Sequence, residues 1–290
     1  MTQASSTLYV VATPIGNLGD LSPRAQEILG TVSRIAAEDT RHTRQLLEHF
    51  GIRTPLESLH EHNEAERIPT LLERLAAGES IALVSDAGTP LISDPGFALI
   101  AAARARGVTI VAVPGPCAAI AALSIAGLPT DRFTFEGFLA AKDSARRAHL
   151  EALRTESRTM IFYEAPHRQK EALNDMAQIL GSDRHAVVCR ELTKRFESSY
   201  AGSLQQLERA CEQDANMSRG ELVIVVQGAA PREATGAATL QAEELLRALL
   251  EDLSPAQAAK IAARLTGAKR AELYERAVQI KGEGANWPSG

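Results

Sequence analysis

Cysteine is sparse in this chain. The three residues present, Cys117, Cys189 and Cys211, lie far apart with no Cys-x-x-Cys pair. Neither a disulfide framework nor a zinc knuckle is indicated, and the expected compartment is a reducing cytoplasm. Net positive charge is missing as well, since 31 Lys and Arg against 36 Asp and Glu leave a formal charge of −5. That balance excludes a globally basic coat for nucleic acid, so any such contact must be concentrated in a local patch. The N-terminus has no basic stretch followed by an apolar one, and no secretory signal is expected. An uncharged run from Val108 to Thr130 is long enough to suggest a membrane span. Pro114, Gly115 and Pro116 interrupt it, and Ala118, Ala119, Ala121 and Ala122 fill much of the rest, so a buried strand, a turn and a buried helix are expected, with no membrane. The phosphate-binding signatures G-x-G-x-x-G and G-x-x-x-x-G-K-[ST] are also absent, which removes the usual dinucleotide and P-loop readings.

What the chain does have is the apolar content of an ordinary soluble protein, 45%, over 290 residues, enough for two domains with cores of their own. Strand-like runs at Leu8–Val11, Arg34–Ala37, Ile81–Val84 and Thr109–Val113 alternate with helix-like stretches at Pro23–Leu29, Thr40–Phe50, Glu64–Ala77, Phe97–Arg106 and Cys117–Ala126. Such alternation predicts a parallel sheet covered on both faces. Beyond Pro129 the runs Arg132–Gly137, Thr159–Tyr163, Ala186–Arg190, Glu197–Ala201 and Leu222–Gln227 are short and rich in Phe, Tyr, Val and Ile. Helical stretches near Ser144–Leu153, His167–Leu180 and Leu204–Glu212 separate them, predicting a second α/β domain with a mixed sheet. The expected organisation is therefore α/β, with domains over 1–128 and 129–228 and a ligand cleft between them. Gly228 to Ala238 reads as a linker, within 229–239, followed by a helical, helix-turn-helix-like extension over 240–290. Its last helices carry Lys260, Arg264, Lys269, Arg270 and Arg276 against Glu272 and Glu275, which is either a local basic surface or an ordinary solvated face.

The loop from Ser85 to Gly96 leaves the apolar run Ile81–Val84 where an open α/β sheet places its ligands. It holds two aspartates and two prolines but no lysine or arginine, so it is better suited to accepting hydrogen bonds than to cradling phosphate. Two more strand ends run into similar Gly/Pro turns, Ala12–Asp20 and Pro114–Cys117. A pocket of carbonyls, small side chains and carboxylates suits an adenine amino group, an ammonium or a sulfonium. Glu38 and Asp39 end a strand at the same sheet edge and are the favoured candidates to orient or deprotonate a nucleophile, with Arg41 placed to grip a phosphate. Asp39 also suits a helix N-cap, and the two roles are compatible. His60, His62 and Glu64 imitate metal-ligand spacing, yet they precede a helix with no further ligand fixed nearby, and contact with substrate or capping is the preferred reading. Tyr163, Glu164, His167 and Arg168 mark a strand-to-helix turn that faces either an acceptor or solvent.

Several of these segments occur together in a recognisable order. The Thr13–Asp20 turn, Glu38-Asp39-Thr40-Arg41, His60-Glu61-His62-Asn63-Glu64, the Ser85–Gly96 loop, Pro114-Gly115-Pro116, Glu136-Gly137-Phe138, Tyr163-Glu164-Ala165-Pro166-His167-Arg168 and Arg219-Gly220-Glu221 follow one another. In that combination the chain resembles the small-subunit ribosomal-RNA 2′-O-ribose methyltransferases, a branch of the tetrapyrrole methylase superfamily. The resemblance implies S-adenosylmethionine as methyl donor in a cleft between two α/β domains. It implies as acceptor the 2′-hydroxyl of a cytidine in the decoding region of 16S rRNA of the small ribosomal subunit. It also implies a homodimer and no metal. Carried over by position, Pro14, Asp86, Gly88, Thr89, Pro90, Cys117, Ala118, Ala119, Phe162, Tyr163 and Gly220 would border the donor, with the prolines and Asp86 exposing carbonyls and negative charge to it. Glu38, Asp39 and Arg41 would serve the reaction, and Arg41, His60, His167, Arg168, Lys260, Arg264, Lys269 and Arg270 would contact RNA. Tetrapyrrole-modifying members often have serine after the Pro-Gly turn, where this chain has Cys117-Ala118-Ala119. A tetrapyrrole methylase is the nearest rival, and the basic tail argues against it because a small acidic macrocycle has no need of one. A noncatalytic ribosome-associated nucleotide-binding protein is the rival from another class, separated by whether methyl transfer occurs.

Overall fold

In the computed structural model, which describes residues 6–214, 216–230 and 236–284, Ile81, Ala82, Leu83 and Val84 are all buried, as a central strand apolar on both faces must be. They form the middle of a parallel sheet made of β1 (Thr7–Val11), β2 (Arg34–Ala37), β3 (Leu56–Ser58), β4 (Ile81–Val84) and β5 (Thr109–Val113), in the order β3-β2-β4-β1-β5. In register, Leu8 faces Ile81 on one side and Ile110 on the other. Side chains alternate between two cores, as strand geometry requires. Ala82 and Val84 pack with Leu29 and Leu47 of helices α1 (Pro23–Thr31) and α2 (Thr40–His49), while Ile81 and Leu83 pack with Leu71, Leu75 and Leu99 of α3 (Glu64–Ala76) and α4 (Phe97–Ala105). β3 was not expected from the sequence. It is a three-residue edge strand, half-buried, whose Glu57 carboxylate meets Arg34 at 3.0 Å and Arg74 at 3.4 Å, so it carries no apolar pattern.

The uncharged run that could have suggested a membrane span divides into β5, the Pro114–Cys117 turn and α5 (Ala118–Ile125). Among the described residues no helix is long and apolar enough to cross a membrane. The second sheet has the order β6-β7-β10-β8-β9, formed by β6 (Phe133–Phe138), β7 (Thr159–Glu164), β8 (His185–Arg190), β9 (Ser198–Ser203) and β10 (Leu222–Val226). Only the β6/β7 pair is parallel. Helices α6 (Asp143–Ala152), α7 (Gln169–Leu180) and α8 (Leu204–Gln213) cover one face, where Met160, Phe162, Val188 and Ile224 meet Leu150, Leu173 and Leu207. On the other face Ile161, Val187, Cys189, Val223 and Val225 pack against Ala119, Ala122 and Leu123 of α5 and against Ile15. This shared core joins the two sheets, and the chain up to Ala229 is one compact unit.

The second unit, from Ala230, contains α9 (Gly236–Asp252), α10 (Pro255–Thr266) and α11 (Arg270–Gly284). Ser254 and Gln257 form a reciprocal capping box before Pro255, and Gly267 ends α10 at φ 72°, the left-handed conformation that glycine adopts without steric cost. Leu246, Ala258, Ala259, Ala262, Leu273 and Ala277 make its core. Part of the expected linker, residues 231–235, lies outside the described residues, as do 1–5 and 285–290.

Candidate functional site

Parallel strands deliver all their carboxyl ends to one edge, and three of the loops that leave this edge are bonded to one another. Thr13 and Gly88 form an antiparallel bridge, N–H to O at 2.8 and 3.1 Å, joining the loop after β1 to the loop after β4. The Thr89 hydroxyl donates to the Pro116 carbonyl at 2.9 Å, tying in the turn after β5. Gly88 has φ +84°, and a Cβ there would be 3.3 Å from Ile15 Cγ2. Gly115 passes so close to Ala12 that a Cβ would be 2.9 Å from the alanine's own. The Asp39 N–H donates to Asp86 Oδ1 at 2.9 Å, linking the β4 loop to the start of α2.

Between these loops and the second sheet is a cavity of about 360 Å³, within the range of small-molecule sites. The first sheet contributes Ile15, Ala87–Thr89, Ile92–Asp94, Cys117 and Ala118 to its wall, and the second contributes Phe138, Tyr163–Pro166, Leu192 and Glu221–Val223. Its acidic residues are Asp94, Glu164 and Glu221, of which Glu164 is paired with Arg168 and Glu221 with Lys194, and among the described residues no lysine, arginine or histidine lines it. Among the described residues the non-glycine residues with positive φ are Leu91, Ser93, Glu191 and Thr193, and they flank the cavity residues Ile92 and Leu192. Such conformations cost on the order of 1–3 kcal/mol each and concentrate at functional sites. The Lys194 side chain lies over Gly16, where a Cβ would be 2.4 Å from its Cγ, and its ammonium meets Glu191 at 3.0 Å and Glu221 at 3.2 Å. A residue of the second sheet's β8–β9 loop is thereby fastened across the first loop.

Tyr163 links the two walls. Its hydroxyl accepts the Ala119 N–H at 3.1 Å, and its ring meets Phe135 and Phe138 edge-on. Burial, with the nearby Cys117 adding to it, raises its pKa, so the phenol stays neutral. Tyr163→Phe removes the acceptor and leaves the N–H of the largely buried Ala119 unpaired, at a cost of about 1–3 kcal/mol. The expected result is a thermal midpoint several degrees lower by differential scanning calorimetry.

The acids of the sheet edge differ in character. Asp39 caps α2 through the Arg41 N–H at 2.8 Å, and the Arg41 guanidinium adds bonds at 3.2 and 2.8 Å. These bonds hold its carboxyl well below the ordinary carboxylate range, so it is a weak base. Glu38 is shifted the other way, by burial first and then by the charge of Asp86. Asp94 is pushed up to about 6 by burial, with the charges of Glu38 and Asp86 adding to the shift and the Ser85 hydroxyl opposing it. Glu164, 3% exposed, accepts from the Ala165 N–H at 2.7 Å and pairs with Arg168 at 3.0 Å, while its Oε2 has no partner.

Of the residues expected at the donor, Gly88, Thr89, Cys117, Ala118 and Tyr163 line the cavity. Pro14 and Pro90 are buried and not part of the lining, and Ala119 is tied to it through its bond to Tyr163. Phe162 is fully buried with Met160 on the helix-covered face of β7, so its side chain points away from the cavity. Gly220 is not part of the lining; its φ of +77° and a would-be Cβ 2.3 Å from the Glu191 carboxyl carbon show a close crossing beside Glu221. The Asp86 carboxylate is turned to the Asp39 N–H, and the negative charge that the β4 loop gives the cavity comes from Asp94. Sequence reasoning did not single out Asp94; the available signal was a second aspartate in a loop lacking any cation.

Glu38, Asp39 and Arg41 stand together at the end of β2, outside the cavity lining, and His60 is close enough to Glu38 to favour its ionised form. Arg41 is exposed, His167 is exposed in the short helix Pro166–Arg168, and Arg168 is half-buried against Glu164. In the second unit Lys260, Arg264, Lys269 and Arg270 are exposed, with Lys269 paired to Glu272 at 3.1 Å, whereas Arg276 is half-buried against Glu243 at 2.6 Å.

Comparison with known proteins gives this geometry relatives. Residues 7–208 match the family of tetrapyrrole (corrin/porphyrin) methylases, and residues 236–281 match the RsmI C-terminal HTH domain. Ribosomal RNA small subunit methyltransferase I of Xylella fastidiosa (strain Temecula1) is 59% identical over 92% of this chain and 97% of that protein. The protein of the same name from Pseudomonas aeruginosa is 51% identical over 97% of this chain and 99% of its own. Among solved structures, a cobalt precorrin-4 methyltransferase of cobalamin biosynthesis shares the fold, with a TM-score of 0.59 over 78% of this chain and 97% of that one, at 17% identity.

Proposed function

The chain belongs to the tetrapyrrole (corrin/porphyrin) methylase family, and from that premise we propose that it methylates the 2′-hydroxyl of a cytidine in the decoding region of 16S rRNA, with S-adenosylmethionine as donor. The observation that carries this reading is the match along almost the whole chain, C-terminal unit included, to proteins named ribosomal RNA small subunit methyltransferase I. The restriction to a ribose oxygen of cytidine rests on the ordered motifs of the sequence.

The cavity fits such a donor on chemical grounds. Its lining is mostly apolar, with Asp94 in one wall and, among the described residues, no lysine, arginine or histidine. A sulfonium, an ammonium and an adenine amino group are the kinds of donor that Asp94 and such walls receive, whereas a polyphosphate would find no cation in the lining to pair with. Ala87–Thr89, Asp94, Ala118 and Tyr163 would hold the group, and when bound it supplies an electrophilic methyl carbon. The protein's own part is then to position the acceptor oxygen, exclude water and receive a proton. Positioning alone contributes on the order of 7–11 kcal/mol in such reactions. Exposed Arg41 and His167, together with Lys260, Arg264, Lys269 and Arg270 of the C-terminal unit, are the proposed RNA contacts, in a cytoplasmic homodimer acting on the small subunit.

The test is to incubate the protein with methyl-labelled donor and small subunits that lack the modification, then to hydrolyse the rRNA with alkali. A 2′-O-methyl group removes the nucleophile that cleaves the adjacent bond, so the label is expected in an alkali-resistant dinucleotide. Label confined to bases overturns the ribose assignment.

A further inference from the structure

We propose that Asp94 is the group that takes the proton from the acceptor hydroxyl, an inference that rests on the methyl-transfer reading above. Four acids stand near the carboxyl edge of the first sheet, and the structure gives them different tasks. Asp39 is committed to its helix cap and to Arg41, and Asp86 accepts the Asp39 N–H. Glu38 stands at the end of β2, outside the cavity lining. Asp94 alone among the four lines the cavity. The neighbouring Ser93 hydroxyl lies 3.6 Å from where a Cβ on Gly137, in the β6 bulge, would be, so the tip of the loop passes close to the second sheet.

Glu164, also in the wall, is no rival base, because its carboxylate is buried against Arg168 at 3.0 Å with Arg146 of the helix-covered face nearby. The charged and titratable groups facing Asp94 are Glu38 just after β2, Asp86 from its own loop and Tyr163 from β7, with Cys117 and the Lys194-paired Glu221 elsewhere in the wall. Among the described residues no cation lines the wall to hold Asp94 in its ionised form. Burial and its anionic neighbours push the carboxyl up to about 6, which makes it a stronger base than an ordinary aspartate yet leaves it ionised at neutral pH.

The step balances without a further reactant. The acceptor oxygen forms the new O–C bond, the C–S bond of the donor breaks with its electron pair returning to sulfur, and the hydroxyl proton passes to Asp94 and then to solvent.

Asp94→Asn keeps the shape and removes the base. With donor and subunits saturating, kcat is expected to fall about 100-fold, at the lower end of what a positioned base supplies. Because Asp94 also faces the donor, the dissociation constant for S-adenosylmethionine, measured by titration calorimetry, is expected to rise as well, and saturating donor keeps that rise out of kcat. The wild-type rate is expected to rise with pH through about 6, a limb absent from Asp94→Asn and kept by Asp94→Glu. In the donor-free protein, carbon-13 NMR of the aspartate carboxyls supplies a readout apart from activity. One resonance is expected to titrate near 6 and to vanish in Asp94→Asn. An unchanged kcat, a retained acid limb, or an Asp94 resonance titrating in the ordinary aspartate range overturns the proposal while leaving the methyl-transfer reading in place. Absence of alkali-resistant label with the wild-type protein overturns both.

Discussion

Gly88→Val is expected to weaken binding of S-adenosylmethionine by about 100-fold or more, measured by titration calorimetry. Gly88 lies at φ +84°, where a β-branched residue is a steric outlier. Its Cβ would press on Ile15 Cγ2 at 3.3 Å and stand 3.7 Å from the Pro116 carbonyl, so valine has to move loops that are bonded to one another. Backbone strain of about 1–3 kcal/mol and overpacking of about 1–3 kcal/mol together reach about 3 kcal/mol, or about two decades in affinity. The substitution falls within the cavity wall itself, so the loss reports on that wall. Gly30→Ala is the control, because a Cβ at Gly30 of α1 meets nothing within 4 Å. Donor affinity within a few-fold of wild type in Gly88→Val, with the fold intact by circular dichroism, would place the donor elsewhere.

The second large effect concerns stability. Arg146 of α6 and Asp175 of α7 are 3% and 2% exposed and meet at 2.7 Å, and Arg147 also contacts the Asp175 carboxylate. Asp175→Ala leaves the Arg146 guanidinium buried, with its other ion-pair partners Asp143 and Glu171 largely in solvent, at 3.2 and 3.6 Å. Breaking a buried pair by deleting one partner costs about 3–5 kcal/mol. At roughly 2–4 °C per kcal/mol for a unit of this size, the thermal midpoint should drop on the order of 10 °C. Replacing both residues, as Arg146→Met with Asp175→Leu, should recover most of that loss, because no charge is then stranded. The two helices back the strand that ends in Glu164, and Arg146 is near enough to favour the ionised form of Glu164. The pair therefore supports the cavity wall from behind. A drop of less than 2 °C in the single variant would show that Arg146 finds solvent or a new partner.

Much of the fold was legible because apolar alternation and chain punctuation agreed. Arg34–Ala37, Ile81–Val84 and Thr109–Val113 are strands with the bounds expected of them, and Pro255 and Gly267 bracket α10. Leu56–Ser58 was not legible, since an edge strand with Glu57 in ion pairs has no buried face to leave a pattern. At the site, consecutive strand residues cannot present side chains to the same face, so Phe162 and Tyr163 part company, one into the helix-covered core and one into the cavity. Period-two alternation held that information. The placement of Asp94 was not readable in the same way. It depends on left-handed backbone at Leu91 and Ser93, residue types that give no sign of it in sequence, and on Asp86 being turned to the Asp39 N–H.

The most direct test of the cavity between the two sheets as the methyl-donor site is a crystal structure determined with S-adenosylmethionine. The donor is expected between the sheets, in contact with Gly88, Asp94, Ala118 and Tyr163. Donor bound outside this cavity, or a cavity still empty at saturating donor, would contradict that assignment.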